Sequence, residues 1–261
     1  MSGPIGGMQP ETRGERIIAR LVQATFIVTL LVLWYLGTNH WGINPLLLPK
    51  PQNVAAELGD ILASGEFWPD LLLTLSELAG AFTISMSLGL TIGFLVSRSP
   101  ALVKVFEPLL AGVYAVPIIL FLPLYVLFFG LGPASKIALG ATISFFPIVL
   151  NTIAGFISVD KLHVTAARSM GASSWHLLRY VLVPGALPVI LTGLRMGFTV
   201  ALLSIIGSET IASLAGLGHR IVHLAEAMDM ARMFAYIVFV IAIAASLNSF
   251  VTWLEARGRR H

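Results

Sequence analysis

Residues 185–207 read GALPVILTGLRMGFTVALLSIIG, and the one charged side chain in this run is Arg195. A helix needs about 20 predominantly apolar residues to cross the hydrocarbon core of a bilayer, and this stretch supplies them. It shows no period-two alternation, so its backbone must close its own hydrogen bonds as a helix. The same template fits five more segments, 17–37, 71–96, 108–129, 134–156 and 232–254. The expected fold is therefore an all-α integral membrane protein with six transmembrane helices. Pro117, Pro123 and Pro147 fall within these segments and are read as kinks, not ends.

Composition points the same way. Apolar residues make up 57% of the chain and charged residues 11%, with a mean hydropathy of +0.89, whereas soluble domains carry about 25% charge. Lipid must solvate much of that surface. The net charge of +3 is scattered through short connections, which argues against a nucleic-acid face. The absence of cysteine excludes a disulfide framework, a thiolate metal site and a cysteine nucleophile. The first apolar segment follows a basic tail as in a signal peptide, but Thr38-Asn39-His40-Trp41 offers no small-x-small cleavage pattern. It is read as a retained helix.

Six crossings put both termini on one side. That side carries eleven Lys and Arg, among them Arg16, Arg98, Lys104, Lys161, Arg168 and Arg257, against Lys50, Lys136, Arg220 and Arg232 on the other. The bias predicts cytoplasmic termini. It divides the chain into a cytoplasmic tail (1–16), a membrane domain (17–254) and a second tail (255–261). The outer connections, 38–70 with Glu57, Asp60, Glu66 and Asp70 and 209–231 with Glu209, Glu226 and Asp229, read as solvated loops or as a surface for a soluble partner.

Between the fourth and fifth segments, residues 160–183 read DKLHVTAARSMGASSWHLLRYVLV, followed by Pro184. The stretch is too long for a turn. It divides into two short helices at Gly171, where a positive φ would favour glycine, with Ser173 or Ser174 as the cap of the second. Ala166 and Ala167 sit beside Leu162, Val164 and Met170, and Trp175, Leu178 and Tyr180 follow. Nothing in a six-span bundle of this size would cover that surface. Two readings stay open, a docking face for a partner protein and a helix lying on lipid headgroups.

The same stretch resembles the motif of permease subunits of binding-protein-dependent ABC importers: Glu-Ala-Ala, three residues, Gly, nine residues, then Ile-x-Leu-Pro. Here Thr165-Ala166-Ala167, Gly171 and Val181-Leu182-Val183-Pro184 keep every spacing, with Thr165 in place of the acid. Further similarity runs from Leu47 to Glu255, in LLPKPQNV (47–54), EPLLAGVYAVPIILFLPLYVLFFGLG (107–132), SKIALGATISFFPIVLNT (135–152), VDKL (159–162) and PGALPVILTGLR (184–195), and points to the nitrate, sulfonate and taurine branch. The resemblance implies a type I importer fold in the bacterial cytoplasmic (inner) membrane. It further implies a second copy of the permease, two cytoplasmic ATPase subunits that hold ATP and Mg, and an extracytoplasmic substrate-binding protein. This chain would bind no cofactor. Thr165, Ala166, Ala167, Arg168, Gly171, Ala172, Ser173 and Pro184 would form the ATPase-coupling site, and the cargo would be a small organic molecule or oxyanion such as a sulfonate, taurine, nitrate, or a pyrimidine or aromatic precursor.

Other residues suggest further sites. Glu77 and Arg195 are ionisable groups inside spans, where charge is costly. They are read as an ion pair within the bundle, with Arg195 on an aqueous pathway as the alternative. Glu209 would either hold the re-entrant stretch IASLAGLG, with Gly216 and Gly218 in tight turns, or end a helix in solvent. Phe145, Phe146, Asn151 and Thr152 join Arg195 and Glu209 as expected pathway residues. His219 and His223 have helical ligand spacing, but Arg220 stands where a zinc-protease HExxH needs glutamate, so no metal site is assigned. Neither GxxxxGK[ST] nor GxGxxG occurs, so ATP hydrolysis belongs to another chain. The competing functions are an intramembrane enzyme using Glu77, His223 or Ser204, and an ion-gradient transporter.

Overall fold

The computed structural model describes residues 13–258, and every regular element among them is helical. In chain order these are α1 (Arg13–Asn39), α2 (Pro51–Ser64), α3 (Trp68–Ser97), α4 (Pro100–Tyr114), a 3-10 turn (Ile118–Phe121), α5 (Leu122–Phe129), α6 (Pro133–Ile157), α7 (Lys161–Ser169), α8 (Ser174–Leu177), a π turn (Leu178–Leu182), α9 (Val183–Ile211), α10 (Leu217–Glu226) and α11 (Met230–Gly258). Six of them, α2 to α6 and α9, carry proline in their first turn, where the missing N–H would have had no partner.

Five continuous stretches are long and apolar enough to span: α1, α3, α6, the rod from Ser174 to Ile211, and α11. The sixth crossing is α4 and α5 taken together, bent by 70°. This corrects the reading of residues 108–129 as one kinked helix. Pro117 follows the end of α4 and Pro123 begins α5, so both mark ends, whereas Pro147 lies inside an unbroken α6. A proline disfavours helical backbone in the residue before it, and with two prolines six residues apart the chain breaks here instead of bending.

The bundle is organised on α6, the most enclosed span, which is held between α3 and α9. Glycine allows that closeness. Gly89 and Gly93 of α3 lie against Ile148 and Thr152, and Gly193 and Gly197 of α9 lie against Asn151 and Ile148 on the other side of α6. Both pairs are GxxxG motifs, which let membrane helices associate at short range. Ala81, Gly140 and Ile205 continue the contact toward the end of α6 nearer Pro133. α1 is the least enclosed span. It is tied down by Trp34, whose indole N–H donates to Pro49 O at 2.9 Å and whose ring meets Phe234.

The stretches 38–70 and 209–231, expected as loops, carry α2 and α10. These helices cover one end of the bundle through a core of Val54, Ile61, Phe67, Leu71, Leu217, Leu224, Ala235 and Tyr236. Of the acidic residues in the two stretches, Asp70 is paired with Arg220 at 3.0 Å and Glu66 with Arg232 at 2.6 Å. Lys136, expected in an outer connection, is fully buried at the start of α6 and donates to the carbonyls of Leu131 and Gly132. Of the tails, residues 1–12 and 259–261 lie outside the described residues.

Candidate functional site

Two constellations stand at opposite ends of the bundle. The first is the loop between α6 and α9. Asp160 caps α7 by accepting from Leu162 N at 2.8 Å, and Ser173 caps α8 by accepting from His176 N. Between them Gly171 takes φ 81° while its N–H bonds Arg168 O, a left-handed ending to α7 for which glycine is suited. The second short helix does not stand alone. α8 runs through the π turn into α9, so one continuous rod extends from Ser174 to Ile211.

The side chains of this loop are open. Leu162 is 70% exposed, Met170 81%, Trp175 62% and Tyr180 67%, while Ala167 is buried. Ala166 and Gly171 are exposed, and no atom comes within 4 Å of where a Gly171 side chain would start. Thr165, which replaces an acid, turns its hydroxyl onto Lys161 O at 2.9 Å. Arg168, Ser173 and Pro184 are exposed, and Ala172 is half-buried.

The second constellation is a buried latch at the far end. Glu209, near the end of α9, is 1% exposed. Its Oε1 accepts from Thr74 Oγ1 at 2.7 Å, and its Oε2 accepts from Gly218 N at 2.8 Å. Thr74 Oγ1 in turn accepts from Leu217 N, and Asp70 Oδ1 accepts from Gly216 N. Three consecutive N–H groups at the start of α10, which a helix cannot satisfy internally, are thus held by α3 and α9. Gly216 has φ 105°, and a Cβ there would collide with the Glu209 carboxylate. Arg220, outside the spans, feels burial that opposes its charge, but the hydrogen bond and charge of Asp70 outweigh it and hold the guanidinium above its ordinary value.

Of the two readings of Glu209, a holder of the following stretch and a helix end in solvent, the hydrogen bonds and burial match the first. Sequence reading missed the roles of Asp70 and Thr74, although Asp70, Thr74 and Glu77 repeat at i, i+4 and i+7 along α3, which places them on one face. A Glu209→Ala substitution would leave the Gly218 N–H without its acceptor and the Thr74 hydroxyl with the Asp70 carbonyl alone, at 3.0 Å. At about 1–3 kcal/mol for a buried group left unpaired, the expected loss is about 2 kcal/mol. Thermal unfolding of the purified protein in detergent measures it.

The other candidates fall as follows. Glu77 and Arg195 do not pair. Arg195 Nη1 lies 3.2 Å from Glu255 Oε2 on α11, and the charged neighbours of Glu77 are Glu209 and Lys136. Glu77 Oε2 has no hydrogen-bond partner among the described residues. Phe146, Thr152 and Glu209 are enclosed within the protomer, Phe145 and Asn151 are half-buried, and the Arg195 side chain is 40% exposed. Glu77 and Ser204 are enclosed between spans, while His223 lines a cleft beside Asp70 and Arg220, so the three are not assembled as a hydrolytic site.

A glycine-packed bundle of spans, with an exposed two-piece loop at one end and a latched helix at the other, defines a multi-pass membrane protein. The sequence matches the family described as Binding-protein-dependent transport system inner membrane component over residues 85–260, and the chain belongs to that family. It is 33% identical to the taurine transport system permease protein TauC of Escherichia coli, over 88% of this chain and 86% of that protein. It is 35% identical to the riboflavin transport system permease protein RibX of Chloroflexus aurantiacus (74% and 72% covered), and 30% identical to the formylaminopyrimidine transport permease protein ThiX of Halalkalibacterium halodurans (78% and 81%). The fold is shared with an inward-facing MetNI methionine ABC transporter (TM-score 0.62, 16% identity, 74% of this chain and 94% of that one). It is also shared with an amino acid ABC transporter crystallised with histidines (TM-score 0.61, 24% identity, 78% and 97%). The protein is a permease subunit of a binding-protein-dependent ABC importer in the inner membrane, a non-catalytic component that works with a separate ATPase and a substrate-binding protein.

Proposed function

We propose that two copies of this chain form a translocation pathway for a small organic solute or oxyanion, driven by two cytoplasmic ATPase subunits that hold ATP and Mg. Both termini and the loop 160–183 face the cytoplasm, as the distribution of basic residues supports. α2 and α10 then face the binding protein. The observation that carries the reading is the exposed loop, in which small residues around a left-handed glycine leave room for close backbone approach and a continuous rod leads from it into the bundle. Thr165, Ala166, Ala167, Arg168, Gly171, Ala172, Ser173 and Pro184 form the coupling site, with residues 17–254 as the permease domain between two cytoplasmic tails. Phe145, Asn151 and Arg195, the expected pathway residues with surface to spare, are the first to examine for contact with solute.

The relatives named for taurine, riboflavin and formylaminopyrimidine bracket the cargo as small, polar and often aromatic or anionic. Copurification tests the assembly. The tagged permease, extracted in mild detergent, is expected to retain the ATPase encoded beside it. A permease that purifies alone, with no ATP hydrolysis in the eluate, overturns the proposal.

A further inference from the structure

In the second piece of the loop between α6 and α9 a cleft of about 280 Å³ opens, lined by Trp175, Leu178, Arg179 and Val183. Trp175 and Arg179 are both exposed. The Arg179 guanidinium lies 5.9 Å from the centroid of the Tyr180 ring, which is itself stacked with His176. Among the described residues Arg179 has no carboxylate partner, and neither the Trp175 indole N–H nor the Tyr180 hydroxyl has a hydrogen-bond partner. The one acid of residues 160–183, Asp160, is occupied in capping α7, where it accepts from Leu162 N. The cleft therefore presents an unpaired positive charge and an N–H donor beside two aliphatic side chains, with no acid in its wall.

Depth decides what such a cleft meets. Arg179 and Glu209 lie thirty residues apart on the rod from Ser174 to Ile211. At about 1.5 Å per residue that is about 45 Å, the thickness of a bilayer with its headgroup regions. Glu209 belongs to the latch at the outer end of the bundle, so Arg179 stands at the headgroups of the opposite leaflet, and no charged residue follows it until Arg195. Tryptophan, tyrosine and arginine are the side chains that settle at this level, their apolar parts toward the chains and their polar tips toward phosphate. A soluble ATPase stays beyond the headgroups and meets Ala166 and Gly171, farther from the membrane. We infer that this cleft holds the phosphate of an anionic phospholipid of the cytoplasmic leaflet, with Arg179 as its charge partner, Trp175 Nε1 as a second donor, and Leu178 and Val183 on the acyl-chain side. The inference rests on the proposed orientation, in which the loop 160–183 faces the cytoplasm. A lipid held here pins the start of the rod directly beside Ala172 and Ser173 of the coupling site.

Native mass spectrometry tests it on the full-length permease, purified in mild detergent and mixed with equal amounts of phosphatidylglycerol and phosphatidylcholine. The wild-type chain is expected to retain phosphatidylglycerol in preference. Arg179→Gln is expected to lower the retained phosphatidylglycerol about fivefold, the share that one basic side chain contributes at an anionic membrane surface. Arg179→Lys keeps the charge and is expected to hold most of the lipid. Arg168→Gln removes the same charge from the first piece of the loop and is expected to leave lipid retention at the wild-type level. Equal retention of the two lipids by the wild-type chain overturns the inference, as does unchanged retention in Arg179→Gln. An equal loss in Arg168→Gln also overturns it, because that marks a diffuse attraction of a basic loop and not a site. If Arg179→Gln sheds a copurified ATPase while keeping its lipid, the cleft is a protein contact and the inference fails. Because the lipid is read on the permease itself, a wild-type chain that never retains an ATPase would overturn the importer reading and leave this measurement standing.

Discussion

Gly197→Leu is expected to abolish recovery of folded permease. A Cβ at this position would start 2.5 Å from Ile148 Cγ1, 2.7 Å from Ile148 Cδ1 and 3.2 Å from Ser144 O. Ile148 is fully buried and already faces Gly89 of α3 across α6, so it has no free direction in which to retreat. Overpacking in a filled core costs about 1–3 kcal/mol, and here three further carbons would follow the first into the same seam, so the upper end of that range is the floor. α9 would have to withdraw from α6, carrying the latch at one end and the loop at the other. Size-exclusion chromatography of detergent extracts reports the result as loss of the monodisperse peak. Gly207→Ala is the control, because the same helix has open space there. Equal recovery of both variants would refute the account of α6 as a helix held between two glycine faces.

Gly171→Leu is expected to give the opposite pattern, normal insertion and yield with transport lost. Nothing within 4 Å obstructs a side chain at this position, so the bundle should tolerate it. The φ of 81° adds local strain, about 1–2 kcal/mol for a residue with a Cβ, which a loop outside the bilayer absorbs by shifting. A leucine would, however, hold a partner's surface away from Ala166 and change the angle at which α7 meets α8. ATP hydrolysis by the copurified ATPase is then expected to persist while uptake into proteoliposomes falls at least tenfold, the signature of a lost mechanical link in a switching assembly. Uptake at the wild-type rate would show that the loop is not the coupling element.

These two glycines were not equally legible. Gly171 announced itself through its spacing from Ala166, Ala167 and Pro184, because a loop motif is local and its residues lie within one stretch of chain. The GxxxG pairs at 89–93 and 193–197 are also visible in the sequence, but many glycines in apolar segments face lipid or open space, as Gly112 and Gly207 do. Which pairs pack is decided by the neighbouring helix. The break at Pro117 was misread for a related reason: membrane helices tolerate proline when neighbours satisfy the freed backbone, and that compensation cannot be seen along a single segment.

By itself the sequence determined that the chain crosses a bilayer and where most of its spans run, because hydrocarbon thickness and helical period act on consecutive residues. Only the tertiary structure decided which charges meet. Arg195 joined Glu255 rather than Glu77, Lys136 was drawn inside, and Glu209 became the acceptor for a hydroxyl 135 positions away. A buried polar group must find a partner, and in a bundle of spans that partner is set by which helices touch and at what height, a property no single helix carries.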